Sequence, residues 1–451
     1  MVTRSRPRVV LGLTVLGVVA SAWVAESVHS TNPTVTPVAV GPNVQSSALY
    51  CAGLTNVAGG FHGVVAFVNT TSHPRHVIAR VTATAATRAN STTFVIAPHG
   101  RYLLQPDALV RGHTYAVAAQ ILGGGVDAGE VITTEGLSAP CSSAGTSSWF
   151  ESGLDTTVGS RADLVIYNPT ATASVFNILT FSSLGYQAPA PLQGITVGPH
   201  AVTTVNLGTY VVATPNVGVQ VQVLRGSLVV AADQSSGSVA SIASGSLHLD
   251  SRAAFGLVSV ARGSSTQIRV ANPNSNSVAV GLTLHQAGLT QPPITVEVPA
   301  FGTAKVTLAP NTAIAPTGII SLTGNATGPV AWSLSTGTSS GRELSPLPTP
   351  GKEVVVSDVT GRGFTAAMIL NVSSSSQRVG WRLVKASSVV ESGHWTLPAR
   401  SIQSLGQLLG SRTRLSNATL VIESSRSDVE MIGTLPSTPL GVAVVNSLHR
   451  G

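Results

Sequence analysis

An internal repeat of about 100 residues, present four times, constrains the fold of this chain more than any other feature. An apolar stretch ending in Asn recurs as GVVAFVN, DLVIYN, QIRVAN and AMILN, and these Asn residues lie 99, 104 and 99 residues apart. A Pro turn recurs in FVIAPHG, ITVGPHA, VEVPAFG and WTLPARS, at spacings of 101, 100 and 99 residues. Because the two markers give the same period independently, the sequence predicts consecutive copies of one structural unit. The markers are Asn69, Asn168, Asn272 and Asn371, and Pro98, Pro199, Pro299 and Pro398.

The composition of the copies favours β-strands. Hydrophobic residues make up 43% of the chain and aromatic residues only 4%, while Gly and Pro number 45 and 26. β-branched residues with frequent turn formers are typical of strands joined by turns. About six to eight strand-like stretches per copy fit an antiparallel sandwich of immunoglobulin-like size. The best helical candidate, residues 401–409, is long enough for a turn or two.

We therefore predict an all-β chain of four tandem antiparallel immunoglobulin-like β-sandwich domains after an N-terminal hydrophobic helix. The low charged fraction of 10% argues for packed cores and against disorder. The predicted segments are a signal anchor or signal peptide at 1–26, a spacer at 27–47, and sandwiches at 48–140, 141–250, 251–349 and 350–451.

The N-terminus has the pattern of an export signal. Arg4, Arg6 and Arg8 precede the uncharged run VVLGLTVLGVVASAWVA at 9–25. A run of this length is at the lower bound for a membrane span, and its basic flank predicts that the rest of the chain lies outside the cell. The small residues at Ala20 and Ala22 also fit a cleavage site after Ala22. The sequence therefore leaves a single membrane anchor and a secreted product as alternatives.

The chain contains two cysteines, Cys51 and Cys141, each just before the opening of a copy. An oxidising compartment favours a disulfide between them over two free thiols. In the chain-entropy treatment, closing a loop of this size stabilises the fold by about 4 to 5 kcal/mol. We predict the disulfide Cys51–Cys141.

Two patterns resemble catalytic or metal sites, and in each the sequence context argues against that function. Ser339, in GTSSG at 337–341, matches the nucleophile-elbow spacing of serine hydrolases, but a linker follows where that motif needs a helix. His73 and His76 have a spacing that suits a metal, yet the later copies have no matching residues. We expect no metal, no cofactor and no enzymatic activity.

Acidic residues form two further pairs, Asp127 with Glu130 and Glu151 with Asp155. Paired carboxyls can perform general acid and base chemistry. Both pairs lie in Gly-rich sequence, and we expect them in solvated turns.

Aromatic and basic residues give little indication of a ligand. Trp149 and Phe150, at the opening of the second copy, are the best candidates for a ligand face that stacks on a sugar. The formal net charge is +7, but the Arg residues of the N-terminus supply part of it and the remainder is scattered. No basic stripe interleaves with aromatic residues, which argues against nucleic-acid binding.

The segment CSSAGTSSWFESG, together with LVIYNP and IRVANP, resembles an actinobacterial family of secreted or membrane-anchored proteins classed as a domain of unknown function. The resemblance implies an envelope location and an all-β fold, and it transfers no activity or site residues. The first and fourth copies depart from the Asn-Pro form, with Asn69-Thr70 and Asn371-Val372.

Repetition without catalytic residues suggests a non-enzymatic envelope protein whose tandem sandwiches act as a spacer and interaction scaffold. Its partners would be envelope proteins or cell-wall glycans. The alternative is a carbohydrate-binding or adhesive module that uses Trp149, and a serine hydrolase that uses Ser339 comes third.

Overall fold

The fold is taken from a computed structural model. It describes residues 46–55, 63–69, 71–84, 89–132, 137–236, 239–259, 265–286, 289–290, 292–308, 319–337, 342–344, 353–358, 367–371, 373, 375–385, 388–399, 401–410, 418–424, 429–434 and 442–445.

The described chain is all-β, and its strands fall into four consecutive groups, which we call repeats 1 to 4. Repeat 1 contains β1 (Ser47–Thr55), β2 (Gly63–Asn69), β3 (Arg75–Ala83), β4 (Asn90–Ile96), β5 (Arg101–Leu104), β6 (Thr114–Leu122), β7 (Val126–Ile132) and β8 (Leu137–Pro140). Repeat 2 contains β9 (Ser148–Leu154), β10 (Ser160–Tyr167), β11 (Ser174–Ser182), β12 (Gly185–Gln187), β13 (Ile195–Val197), β14 (Val202–Asn206), β15 (Val217–Arg225), β16 (Val229–Ser236) and β17 (Val239–Ala243).

Repeats 3 and 4 continue the same plan. Repeat 3 contains β18 (Asp250–Ser259), β19 (Ser265–Asn272), β20 (Val278–Gln286), β21 (Leu289–Thr290), β22 (Ile294–Val298), β23 (Gly302–Leu308), β24 (Ile319–Gly337) and β25 (Arg342–Leu344). Repeat 4 contains β26 (Glu353–Asp358), β27 (Ala367–Asn371), β28 (Gln377–Lys385), β29 (Ser388–Leu397), β30 (Ser401–Ser404), β31 (Thr419–Ser424), β32 (Val429–Thr434) and β33 (Val442–Val445).

Helices are short wherever the structure describes the chain. The α-helix α1 (Leu405–Leu409) is a single turn, in the region where the sequence allowed one or two. The 3₁₀ helices are Pro106–Ala108, Ala190–Leu192 and Leu207–Thr209. None of the described helices has the length and apolar character needed to cross a bilayer. The hydrophobic run at 9–25 lies outside the described residues, so the expected N-terminal helix stays a prediction.

All strand pairing within the described sheets is antiparallel, and each sheet draws its strands from one repeat. In repeat 3 the first part of the long strand β24 pairs with β18 and β20, and its second part pairs with β19 and β25. β24 therefore joins these strands into one large sheet. The strand orders are β1-β6-β3-β4 and β5-β2-β7-β8 in repeat 1, β14-β10-β16-β17 and β12-β11-β15-β9 in repeat 2, β21-β20-β24-β19-β23 in repeat 3, and β29-β28-β31-β26-β33 and β30-β27-β32 in repeat 4.

The strand β10 shows how one sequence run serves two hydrophobic contacts. Successive side chains of a strand point to opposite faces. Leu164 and Ile166 therefore lie in the core of repeat 2, while Val165 and Tyr167 lie in the contact with repeat 1. All four side chains are buried. A strand covered on both faces reads as a continuous apolar run, which explains the sequence DLVIY.

A buried Asn closes the same turn in every repeat. In repeat 2 the Nδ2 of Asn168 donates to the carbonyl of Thr172 at 2.7 Å and to those of Val197 and Gly198 at 3.1 and 3.0 Å. Its Oδ1 accepts from the backbone N of Thr170 at 2.9 Å and from the Thr170 hydroxyl at 2.8 Å. The equivalent Asn69, Asn272 and Asn371 are also fully buried and bind the matching carbonyls.

The recurrent Pro turn lies directly against this Asn. The backbone N of Ala201 donates to the Gly198 carbonyl at 3.3 Å, with Pro199 and His200 between them. His200 has a φ of 52°, so the turn is of type II, which favours Pro in its second position. Since Asn168 binds two carbonyls at the start of this turn, the two sequence markers are the two halves of one hydrogen-bonded unit.

Candidate functional site

The disulfide predicted from the sequence is present, and it joins the two ends of repeat 1. Cys51 lies on β1 and Cys141 directly follows β8, with their Cα atoms 4.6 Å apart. The backbone N of Tyr50 donates to the Ser142 carbonyl at 2.7 Å, and the Ser142 N donates back at 2.8 Å. The disulfide and these hydrogen bonds fix the point at which the chain leaves repeat 1 for repeat 2.

Repeats 1 and 2 meet there through small apolar side chains of their facing sheets. Ala52 and Ala116 of repeat 1 pack against Val165, Tyr167 and Ala231 of repeat 2, and all five are buried. Small residues allow the two backbones to approach closely, and the burial of apolar surface stabilises the contact.

Gly53 of β1 is required by this close approach. Its φ is +108°, which L residues rarely adopt. A Cβ at this position would lie 2.9 Å from both the Ala231 Cβ and the Asp233 Oδ1 on β16. Asp233 therefore faces repeat 1 across the contact, and we call this region the junction (β1, β7 and Cys141 of repeat 1, and β16 of repeat 2).

Glu130, on β7, is a buried carboxyl at the junction. Its carboxylate oxygen and the two sulfurs of Cys51 and Cys141 all lie within 4.8 Å of one another. The residue is 2% exposed, and its Oε2 has no hydrogen-bond partner among the described residues. Burial, and then the negative charge of Asp233, raise the pKa of Glu130 well above its usual value. The carboxyl consequently keeps its proton at a pH where an exposed Glu is ionised.

A cavity of about 30 Å³ opens between the two repeats beside this carboxyl. Tyr50, Glu130 and Ser142 line it from repeat 1 and the connecting segment, and Leu228 and Ala231 line it from repeat 2. A single water molecule needs roughly 10 to 15 Å³ of such space. The cavity is large enough for water and too small for an organic ligand.

The structure contradicts the hypothesis that Trp149 and Phe150 form a ligand face. Trp149 has no exposed surface, lies in the core of repeat 2, and donates through Nε1 to the Ser244 carbonyl at 2.6 Å. Phe150 is 8% exposed and packs against Ala271 and Ala331 of repeat 3. Both rings are covered because neighbouring residues of a strand face opposite sides and both sides of β9 are occupied. Neither ring is available to stack on a sugar.

Repeats 2 and 3 are joined by hydrogen bonds around this aromatic contact. The Ser152 hydroxyl donates to the Arg269 carbonyl at 3.2 Å, and the Ser333 hydroxyl donates to the Ser152 carbonyl at 2.5 Å. The Arg269 guanidinium also donates to the carbonyl of Gly153. These groups lie in a part of the molecule that is mostly buried, so the second contact, like the first, is well packed.

The expectation that the acidic pairs occupy solvated turns is wrong for three of the four residues. Asp127 and Glu130 belong to β7 and Glu151 belongs to β9, and all three are buried. Only Asp155 lies in a loop, where its Oδ1 accepts from the backbone N of Thr157 at 2.8 Å. The sequence did contain a signal that Glu130 is buried, because Glu130 lies on the same face of its strand as the core residues Val126 and Ala128.

The other candidates from the sequence do not converge. His73 lies just before β3 and His76 lies near its start, and both are exposed. The only group of three possible metal ligands among the described residues is Cys51, Glu130 and Cys141. The two cysteines of that group are bonded to each other. Ser339 lies outside the described residues.

Comparisons with known proteins find one family model that is similar to part of the chain. No curated protein matches the chain. A solved structure described as a "tetra-tandem repeat in extending region of large adhesion protein" is 15% identical, covering 87% of this chain and 100% of that chain, with a TM-score of 0.13. Such a TM-score is far below that of a shared fold. Residues 125–254, which include Glu130, Cys141 and all of repeat 2, are similar to DUF5719, a family of unknown function.

Proposed function

We propose that this protein is a non-enzymatic, exported cell-envelope protein whose tandem immunoglobulin-like β-sandwiches act as a spacer and interaction scaffold. Its N-terminal hydrophobic run serves as a membrane anchor or as a signal peptide cleaved after Ala22. The envelope setting is that of the actinobacterial family which the sequence resembles. Its partners are proteins or glycans of the envelope.

The observation that carries this proposal is the burial of the contacts between repeats 1 and 2 and between repeats 2 and 3. Repeat 1 meets repeat 2 through Ala52, Val165 and Ala231, and repeat 2 meets repeat 3 through Phe150 and Ala271. Domains joined by flexible linkers move independently, whereas buried apolar contacts couple their positions. A coupled series of sandwiches keeps its binding surfaces at defined distances, as a spacer must.

The disulfide supports the exported location. Disulfides persist in oxidising extracytoplasmic compartments and are rare in the cytosol. Cys51 and Cys141 are both buried and bonded, and the structure describes no other cysteine.

The carbohydrate-binding alternative has lost the residues on which it rested, because Trp149 and Phe150 are covered. No described feature now favours it over a protein partner.

Export and partner binding can be tested in one strain. The full chain, expressed in an actinobacterial host with a C-terminal epitope, should be degraded by protease added to intact cells, and both cysteines should resist alkylation until a reductant is added. A matched variant without residues 9–25 should stay protected, with both thiols alkylated. Protection of the full chain, with free thiols, would contradict export.

A photo-crosslinking residue at the exposed positions Leu184 and Val212 of repeat 2 then tests the scaffold. We expect crosslinks to a discrete set of envelope components, and the buried position Leu164 serves as the negative control. Crosslinks at the same level from all three positions, or from none, would contradict a scaffold that uses this surface.

A further inference from the structure

We propose that Cys51–Cys141 is an exchange-active disulfide that locks the junction, and that Glu130 is the proton donor and acceptor for its reduction and formation. The co-reactant is an extracytoplasmic dithiol, or its disulfide in the reverse direction. This inference goes beyond the scaffold function, because it assigns a redox reaction and a class of partner to the junction.

The geometry of Glu130 carries the proposal. A carboxyl buried only to hold the structure together would normally have its oxygens satisfied by hydrogen bonds, since an unpaired buried polar group destabilises the fold. The Oε2 of Glu130 has no such partner among the described residues. One carboxylate oxygen of Glu130 lies within 4.8 Å of the two sulfurs of the disulfide. Replacing this carboxyl by an apolar side chain would relieve the destabilisation, so its presence points to a role in chemistry at the sulfurs.

The different exposure of the two cysteine residues determines which sulfur is attacked. Cys51 has no exposed surface, whereas Cys141 is 6% exposed and adjoins Ser142, which lines the cavity. A thiolate of the dithiol therefore attacks the Sγ of Cys141. The bond between the two sulfurs breaks, and Cys51, which has no exposed surface, leaves as a buried thiolate.

Glu130 then donates its proton to the Cys51 thiolate, because a buried thiolate without a counter-charge is strongly disfavoured. The second thiolate of the dithiol attacks its own sulfur in the mixed disulfide and releases Cys141. The dithiol is oxidised to its disulfide, the protein disulfide is reduced to two thiols, and the two protons come from the dithiol. One of them protonates the Cys141 thiolate, and water in the cavity returns the other to Glu130. In the reverse direction the Glu130 carboxylate removes the proton of the Cys51 thiol.

Asp233 of repeat 2 helps to keep Glu130 protonated, so that Glu130 can donate its proton. Its negative charge favours the protonated form of Glu130 and adds to the effect of burial on the pKa. Since Asp233 lies on the other side of the junction, the proton donor works in this way only when repeats 1 and 2 are packed together. Reduction, in turn, removes the covalent link that holds β1 to the start of the connecting segment.

The test measures how fast dithiothreitol reduces the disulfide of the purified full chain between about pH 5 and pH 9, with rates divided by the thiolate concentration of the reductant. The wild-type rate should fall as pH rises through the pKa of Glu130. Glu130→Gln should be slower by about a hundredfold at low pH, and its normalised rate should not depend on pH. Glu151→Gln, which changes another buried glutamate on β9, should behave like the wild type.

Asp233→Asn provides a second test that leaves Glu130 in place, in case Glu130→Gln folds poorly. Loss of the neighbouring charge should move the fall in rate to lower pH without abolishing it. If Glu130 had only a structural role, the Asp233→Asn substitution would not change the pH at which the rate falls. The proposal is overturned if Glu130→Gln is reduced at the wild-type rate with the wild-type pH profile, or if Asp233→Asn leaves the profile where it was.

Discussion

Substituting Asn168 by Ala tests whether the buried Asn of each repeat is what holds its turn together. The substitution removes five hydrogen bonds, three donated by Nδ2 and two accepted by Oδ1. It leaves the buried carbonyl of Val197 and the partly buried backbone N of Thr170 without this partner. The Asn168 side chain itself has no exposed surface.

The expected loss of stability follows from these contacts. A buried hydrogen bond contributes about 1 kcal/mol net, and groups left unpaired cost about 1 to 3 kcal/mol. Because the five bonds share one side chain, their effects are not additive, and we expect repeat 2 to lose about 4 kcal/mol. Asn177→Ala is the matched control in the same repeat. It removes one exposed hydrogen bond, from the Gly194 N at 2.8 Å, and should cost less than about 1 kcal/mol.

A brief protease pulse at increasing urea concentration reports the fraction of folded chain. With a denaturant slope of about 2 kcal/mol per molar urea, Asn168→Ala should lower the midpoint by about 2 M, and Asn177→Ala by less than about 0.5 M. If the two variants lowered the urea midpoint by the same amount, the conclusion that the buried amide organises the turn would be refuted.

Three further predictions follow from the structure. His200→Gly should stabilise repeat 2 by about 0.5 kcal/mol, because Gly adopts the φ of 52° without strain, and so raise the urea midpoint in the same assay by about 0.25 M. A lower midpoint would count against the type II turn. Phe150→Ala should cost about 3 kcal/mol and speed limited proteolysis at 244–249, between repeats 2 and 3, whereas unchanged cleavage would mean that this contact does not couple them. The raised pKa of Glu130 implies stability that is fully present below its unfolded pKa and is lost as pH rises through the folded pKa. Thermal unfolding between about pH 4 and pH 8 should therefore show wild-type Tm falling relative to Glu130→Gln, and parallel curves would contradict the buried, protonated state.

The sequence predicted the strands well because local patterns determine them. The apolar segments that precede the first aligned strand in the first two copies, at 48–57 and 147–154, correspond to the strands β1 and β9. The disulfide followed from the compartment and the cysteine count. Residue spacing revealed the recurrence of Asn and Pro, but it could not show that Asn168 binds the carbonyls of the Pro turn, since that contact spans 30 residues of chain.

The sequence was misleading where contacts between repeats cover a second face of a strand. Phe150 was taken for part of a ligand face because the sequence does not show that repeat 3 packs on β9. Trp149 is covered by the core of repeat 2 itself. Glu130 was assigned to a turn on the strength of its Gly neighbours, although its phase with Val126 already placed it inside. Buried polar groups at such contacts depend on a neighbouring repeat, and no local pattern encodes that neighbour.

Hydrogen exchange of the full chain carrying Asn168→Ala tests most directly the central claim that buried contacts couple the repeats into one scaffold. If they do, the faster exchange of repeat 2 should extend to β1 of repeat 1 and to β19 of repeat 3, which pack against it. Faster exchange confined to 148–243, with β1 and β19 as protected as in the wild type, would show that the repeats are independent and would contradict the account.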